Sequence, residues 1–191
     1  MKPISEYNFR EIVGRYVEIQ TPDSIKEMVG GKDIVKAFCY IDQQTGISLR
    51  VIEDTDALII LRYNEDYMIK PLEINEVPIA EADNYHSGEG LTVEQRKLRD
   101  ALILDPYRDN QFPDDVLINT YSNPPEEDMK SVWMRPTGVK DNVIIATALE
   151  NVDLIKEGDE LCILPSNNGL IAMHFGLYKA ILEEGEDSNE V

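Results

Sequence analysis

Apolar residues along this chain gather in short β-branched runs broken by polar turns, and only a few stretches space them as a helix does. "DIVKAFCYID" (33–42) and "ISLRVIED" (47–54) are two such runs, and the "QQTG" between them reads as a hairpin turn. "DALIILRYN" (56–64) and "YMIKPLEI" (67–74) come next as further strands, joined by a polar turn at Asn64-Glu65-Asp66. Ahead of them, "TPDSIKEMVGG" (21–31) predicts a helix. Pro22 suits its first turn, Ser24 and Glu27 have capping-box spacing, and Gly30-Gly31 would end it. The first half therefore reads as a helix laid on an antiparallel meander.

From Val77 to Gly90 the pattern loosens, and "EADNYHSGEG" (81–90) has the polar, glycine-bearing character of a boundary. "LTVEQRKLRDALIL" (91–104) then predicts a second helix. Thr92 and Gln95 form its capping box, Leu98, Ala101 and Leu102 its inner face, and Arg96, Lys97 and Arg99 a solvated basic face. "VLINTY" (116–121), "SVWMRPTGV" (131–139), "NVIIATALE" (142–150) and "DELCILP" (159–165) read as strands, with turns at Lys140-Asp141 and Glu157-Gly158-Asp159. "GLIAMHFGLYKAIL" (169–182) fits a strand by alternation and a buried helix by length; we read a strand through Phe175. The sum is an α+β chain, mostly antiparallel sheet with two or three helices. It divides into a helix-plus-meander half (1–88), a helix plus β-rich half (89–182) and an acidic tail (183–191) expected to be disordered.

Composition narrows the partners. Thirty-seven acidic against 18 basic side chains leave a net charge of −19. Such a surface opposes direct nucleic-acid binding, which needs arrayed Lys and Arg, and it opposes anionic membranes. It favours a basic protein partner. No apolar run is long enough to span a bilayer, and the N-terminus lacks the apolar core of a secretory signal, so a cytoplasmic location is expected. Cys39 and Cys162 lie in apolar runs and read as buried free thiols.

Motif chemistry is sparse. No P-loop, dinucleotide fingerprint or nucleophile elbow occurs, and no Cys/His cluster suggests zinc. The densest candidate is "DPYRDNQFPDDV" (105–116), with four aspartates, one arginine, two prolines and two aromatics. Read as a calcium loop it fails, because Tyr107 and Asn110 stand where an oxygen ligand and a glycine belong. It reads first as a stiff connector that Tyr107 and Phe112 pin to the core. Its second reading is an acidic, partner-facing loop that presents Asp109, Asp114 and Asp115. No cofactor and no metal are expected.

The sole tryptophan, Trp133, shares a strand face with Arg135, where the guanidinium could stack on the indole. A core tryptophan is one reading; an interface anchor with Arg135 is the other. The candidate partner-binding residues are thus Trp133, Arg135, Tyr107, Asp109, Asp114 and Asp115. A non-catalytic binding protein accounts for an acidic chain without a catalytic constellation. The alternative is a small hydrolase that uses carboxylates with His86 or His174, the only two histidines.

Val132 to Arg135 ("VWMR"), Leu149 to Leu154 ("LENVDL") and Lys156 to Leu161 ("KEGDEL") carry a resemblance over roughly residues 100–164. The segment resembles uncharacterised bacterial domain families with a Trp-containing "vWvr" strand and a "kGDeV" strand. That resemblance implies a small antiparallel β-rich domain without an assigned activity. It associates the chain with inhibitor, immunity or accessory proteins of bacterial conflict systems. The chain departs from those families at its C-terminal end, where "MHFGLYKAIL" (173–182) stands in place of an aspartate-tryptophan ending.

Overall fold

The computed structural model describes residues 1–52, 58–73, 92–120 and 130–187. The fold is α+β and rich in antiparallel sheet. The chain forms two compact units, Met1–Gly90 with Asn110–Pro113, and Leu91–Asp109 with Asp114–Val191.

The first unit is built on six strands: β1 (Lys2–Pro3), β2 (Tyr16–Gln20), β3 (Ile34–Asp42), β4 (Gly46–Val51), β5 (Ile60–Arg62) and β6 (Met68–Pro71), with a short helix α1 (Phe9–Ile12). The predicted β3–β4 hairpin is present, in register at Cys39↔Leu49. Asp42 stabilises its turn, because its carboxylate accepts from the Gln44 and Thr45 N–H groups. The sheet as a whole is not the simple meander expected. Its order is β1-β6-β2-β3-β4-β5, so β5 and β6 are consecutive in the chain but do not pair.

That order forces curvature. Laid flat, the sheet would separate β5 from β6 by four strand spacings, about 19 Å. Six Cα steps link Arg62 to Met68, about 20 Å if fully stretched. The link is not stretched, since Tyr67 N–H donates to the Asn64 carbonyl in a turn. The sheet must therefore coil until its outer strands approach. Its concave side holds one core, with Val17, Ile19, Val35, Ala37, Cys39, Leu49, Leu61 and Ile69.

The helix predicted at 21–31 shrinks to a 3-10 turn, Asp23–Ile25, and the Ser24–Glu27 cap does not form: Pro22 stands at the N-cap with no side-chain bond. Between Pro22 and Gly30 the segment is too short to repay helix nucleation. Instead Ile25 and Val29 bury on the core, and Gly30 and Gly31, at φ 68° and 77°, turn the chain toward β3.

In the second unit five strands, β7 (Val116–Thr120), β8 (Ser131–Lys140), β9 (Val143–Ala148), β10 (Glu160–Ser166) and β11 (Gly169–His174), close into a barrel. Successive strands run antiparallel, so the fifth points the same way as the first, and β11 pairs with β7 in parallel. Strict alternation fills the interior: Val116 and Ile118, Val132 and Met134, Ala146 and Ala148, Leu161 and Ile163, Leu170 and Ala172. The β8–β9 hairpin turns on Asp141 and Asn142, both at positive φ (49° and 64°), as a two-residue hairpin loop with the sheet's twist requires.

Helix α2 (Val93–Arg99) has the predicted Thr92–Gln95 capping box. It stops at Arg99, and a 3-10 segment, Leu102–Tyr107, comes after it. The change of pitch buries Leu98 and Leu104 but leaves Leu102 71% exposed, so Leu102 is not part of the inner face as expected. The ambiguous segment resolves into both forms: β11 ends at His174 and helix α3 (Phe175–Asp187) starts at once. Residues 183–187 of the acidic tail, expected to be disordered, are thus helical; the rest of that tail lies outside the described residues.

Gly46 opens β4 at φ 72°, and a Cβ there would overlap the Gln111 carbonyl oxygen, which accepts from Ile47 N–H at 2.7 Å. Gly46→Ala should cost about 2 kcal/mol or more, combining positive-φ strain with the lost hydrogen bond. Gly30→Ala, at a similar φ but in open space, should cost only about 1 kcal/mol. Urea-unfolding midpoints of the two variants check this; equal losses would show that the Gln111 contact contributes nothing.

Candidate partner-binding face

β8 alternates around the barrel wall. Val132, Met134 and Pro136 point inward and are buried, so Trp133 and Arg135 point outward and are half-buried. The sole tryptophan is therefore not a core residue. Across the ladder it faces Leu117 of β7, itself 37% exposed. The segment after β9 is strapped to the same strand: Trp133 N–H donates to Glu150 Oε1 at 2.8 Å, and Leu149 N–H donates to the Trp133 carbonyl at 2.9 Å. Lys130, just before β8, pairs with Asp153 at 2.5 Å. The next residue, Leu154, is 88% exposed. Trp133 and Leu117 thus give this wall an apolar character that strand alternation alone would leave polar.

Arg135 does not serve the indole as the sequence suggested. Its Nε and Nη2 donate to the two carboxylate oxygens of Asp115, at 2.6 and 2.9 Å. The neighbouring aspartates are engaged in the same way. Arg99 donates to Asp114 through Nε at 2.7 Å and Nη2 at 2.5 Å, which removes Arg99 from the solvated basic face expected for α2. Arg108 Nε donates to Asp105 at 3.0 Å, while its Nη2 reaches the carbonyls of Leu98 and Arg99 at 2.8 and 3.1 Å. Those carbonyls end α2, where a cation also meets the negative pole of the helix. Asp109, half-buried, donates its backbone N–H to the Asp115 carbonyl at 3.1 Å. Tyr107 is a structural pin: its hydroxyl accepts from Leu170 N–H at 3.0 Å and fills the space where a Gly169 side chain would sit.

The three arginines border a shallow cleft of about 260 Å³, much of it open to solvent, with Gln95, Leu98, Asp114 and Pro136. Burial pushes the Asp115 carboxyl above its ordinary range, against the opposing pull of Arg135; the Asp114 and Asp109 charges push it the same way as burial. A carboxylate that accepts two guanidinium hydrogen bonds is a poor general base, because its lone pairs are already committed.

The two histidines are not brought together within the described residues, since His86 lies outside them. His174 ends β11 with Nε2 3.8 Å from Asp159. Cys39 and Cys162 are free thiols pushed up by burial, to about 12 and about 11, so both stay protonated and unreactive at neutral pH. Among the described residues no group of three or more His, Cys, Asp or Glu side chains could hold a metal ion, and no helix is long and apolar enough to cross a membrane.

Sequence reasoning found Trp133 but missed Leu117. Leu117 carried a signal, as the one apolar residue at an outward position of β7.

Removing the carboxylate in Asp115→Ala strands Arg135 and should cost about 2 kcal/mol, less than a fully buried pair because Arg135 is 36% exposed. Asp115→Asn tests the sign of the burial effect. A carboxyl whose folded pKa lies above the ordinary 3.8 holds its proton more tightly when folded. Acidification from neutral toward pH 4 should therefore stabilise the wild type relative to the non-titrating Asp115→Asn. Urea midpoints at both pH values check this, and the opposite slope would mean that attraction to Arg135 outweighs burial.

No protein-family model matches the chain, and neither a curated protein nor a solved structure matches it.

Proposed function

We propose that this chain is a non-catalytic binding protein of inhibitor or immunity type that meets a basic protein partner. The observation that carries the reading is the outward placement of its only tryptophan, beside Leu117 on the barrel wall, in a chain of net charge −19. A half-buried Trp in an apolar setting is the residue type that most often dominates binding energy, while long-range charge selects and steers the partner. The Asp105, Asp114 and Asp115 carboxylates face arginines of the same unit, so the acidic loop acts as support and the negative field comes from acids elsewhere. The resemblance of residues 100–164 to uncharacterised bacterial domain families, which is associated with immunity and accessory proteins, favours the inhibitor form of the reading. The cytoplasm is the proposed compartment, on the ground that both cysteines are free and buried.

Immobilised full-length chain should capture its partner from lysate at about 0.05 M salt and release most of it by about 0.5 M, because exposed charges are screened over that range. Trp133→Ala should cut capture about tenfold or more. Capture insensitive to salt would sink the electrostatic part of the reading. Undiminished capture by Trp133→Ala, with the variant still folded, would remove the barrel wall as the site.

A further inference from the structure

The β10–β11 hairpin turns at Asn167 and Asn168, and Gly169 follows as the first residue of β11. This is the one Asn-Gly pair in the chain. The backbone nitrogen of the residue after an asparagine can attack the carboxamide carbon, and a side chain on that residue obstructs the approach. Glycine presents no such obstacle. Asn168 is exposed, and among the described residues no hydrogen bond holds its carboxamide. The other described asparagines lack one condition or both. Asn8, Asn64, Asn119 and Asn151 hold their Oδ1 in hydrogen bonds from Arg10, Asp66, Ser131 and Glu157. Asn110, Asn142 and Asn167 precede residues that carry a Cβ.

The fold itself demands the glycine. Gly169 sits at φ 111°, a conformation that strains L side chains, and the Tyr107 hydroxyl occupies the place of its Cβ. The same hydroxyl accepts from Leu170 N–H at 3.0 Å, which fixes the head of β11, the strand that closes the barrel on β7. The close approach that shuts the barrel thus leaves Asn168 unshielded on its C-terminal side. One group opposes reaction: Ser166 Oγ accepts from Asn168 N–H at 3.3 Å and donates to the Gly169 carbonyl at 3.1 Å, bracing the turn.

We propose that Asn168 is a self-modifying site, and that its slow conversion to isoaspartate loosens the barrel seam. The Gly169 nitrogen bonds to Asn168 Cγ, the Cγ–Nδ2 bond breaks, and ammonia leaves with the Gly169 amide proton. The cyclic imide left behind takes up one water. Opening at Cγ gives aspartate. Opening at the Asn168 backbone carbonyl gives isoaspartate, whose main chain runs through Cβ and Cγ. That chain is longer by one methylene, about 1.5 Å, in a hairpin whose register is Ser166↔Gly169 and Pro165↔Leu170. Gly169 cannot keep both this register and its fit against Tyr107, so the Leu170–Tyr107 hydrogen bond gives way. The parallel pair at Ile171↔Asn119 and Ala172↔Thr120 then loses its pin. The proposal does not depend on the partner reading.

The test incubates the full-length folded chain at neutral pH, maps its peptides by mass spectrometry and counts isoaspartate by labelling with protein isoaspartyl methyltransferase. The first exchange of an amide for an acid should fall on Asn168, and Asn168→Gln should remove it, because glutamine must close a larger ring. Ser166→Ala should speed it about fivefold, the effect of releasing one hydrogen bond that restrains the reacting turn. The isoaspartyl form, separated from the aspartyl form, should exchange its Leu170 amide about tenfold or more faster than fresh Asn168→Asp, which carries the same charge on an unlengthened chain. Earlier conversion at any other asparagine, or no label above that of Asn168→Gln, would overturn the site. Equal Leu170 exchange in the isoaspartyl form and in Asn168→Asp would overturn the loosening of the seam. An unchanged rate in Ser166→Ala would refute the brace.

Discussion

A meander of five strands can close only if its first and last strands run parallel, and the second unit is organised around that one weak seam. The β11–β7 ladder registers at Ile171↔Asn119 and Ala172↔Thr120, and a parallel pair is slightly less stable per residue than an antiparallel one. The surroundings of the seam compensate. Asp114 and Asp115 immediately precede β7, and each is held through two hydrogen bonds by an arginine, one on α2 and one on β8. Arg108 and Val116 bridge across the loop between them. On the other side, the Tyr107 hydroxyl holds Leu170 at the head of β11. The residues that looked most like a binding loop are those that fix where the barrel closes.

The same constraint separates the features that could be read from the sequence from those that could not. Strand existence was legible because each core strand repeats apolar residues every second position, a local signal that needs no partner. Strand order was not, because β6 leaves β5 and enters between β1 and β2 by a choice of long-range pairing. The capping box of α2 was legible for the same local reason, and the failed helix at 21–31 shows that cap-like residues do not suffice when the segment is short. The Arg99–Asp114 and Arg135–Asp115 pairs join positions 15 and 20 residues apart, so no spacing rule exposes them. The site was half legible: an outward Trp is implied by strand alternation, but its neighbours depend on which strands are paired.

The distribution of charge reflects the same division. In the second unit arginine is spent at the barrel closure, where planar donors grip carboxylates in pairs, which a lysine ammonium does less well.

Each half of the molecule encloses a single thiol. Cys39 sits on β3 in the interior of the first unit and Cys162 on β10 of the second, and the chain has no other cysteine. Both side chains are fully shielded, so a thiol reagent reaches either one only when its own unit opens. The molecule therefore carries one chemical clock in each half. Their relative rates of modification would reveal whether the halves breathe separately or unfold as one.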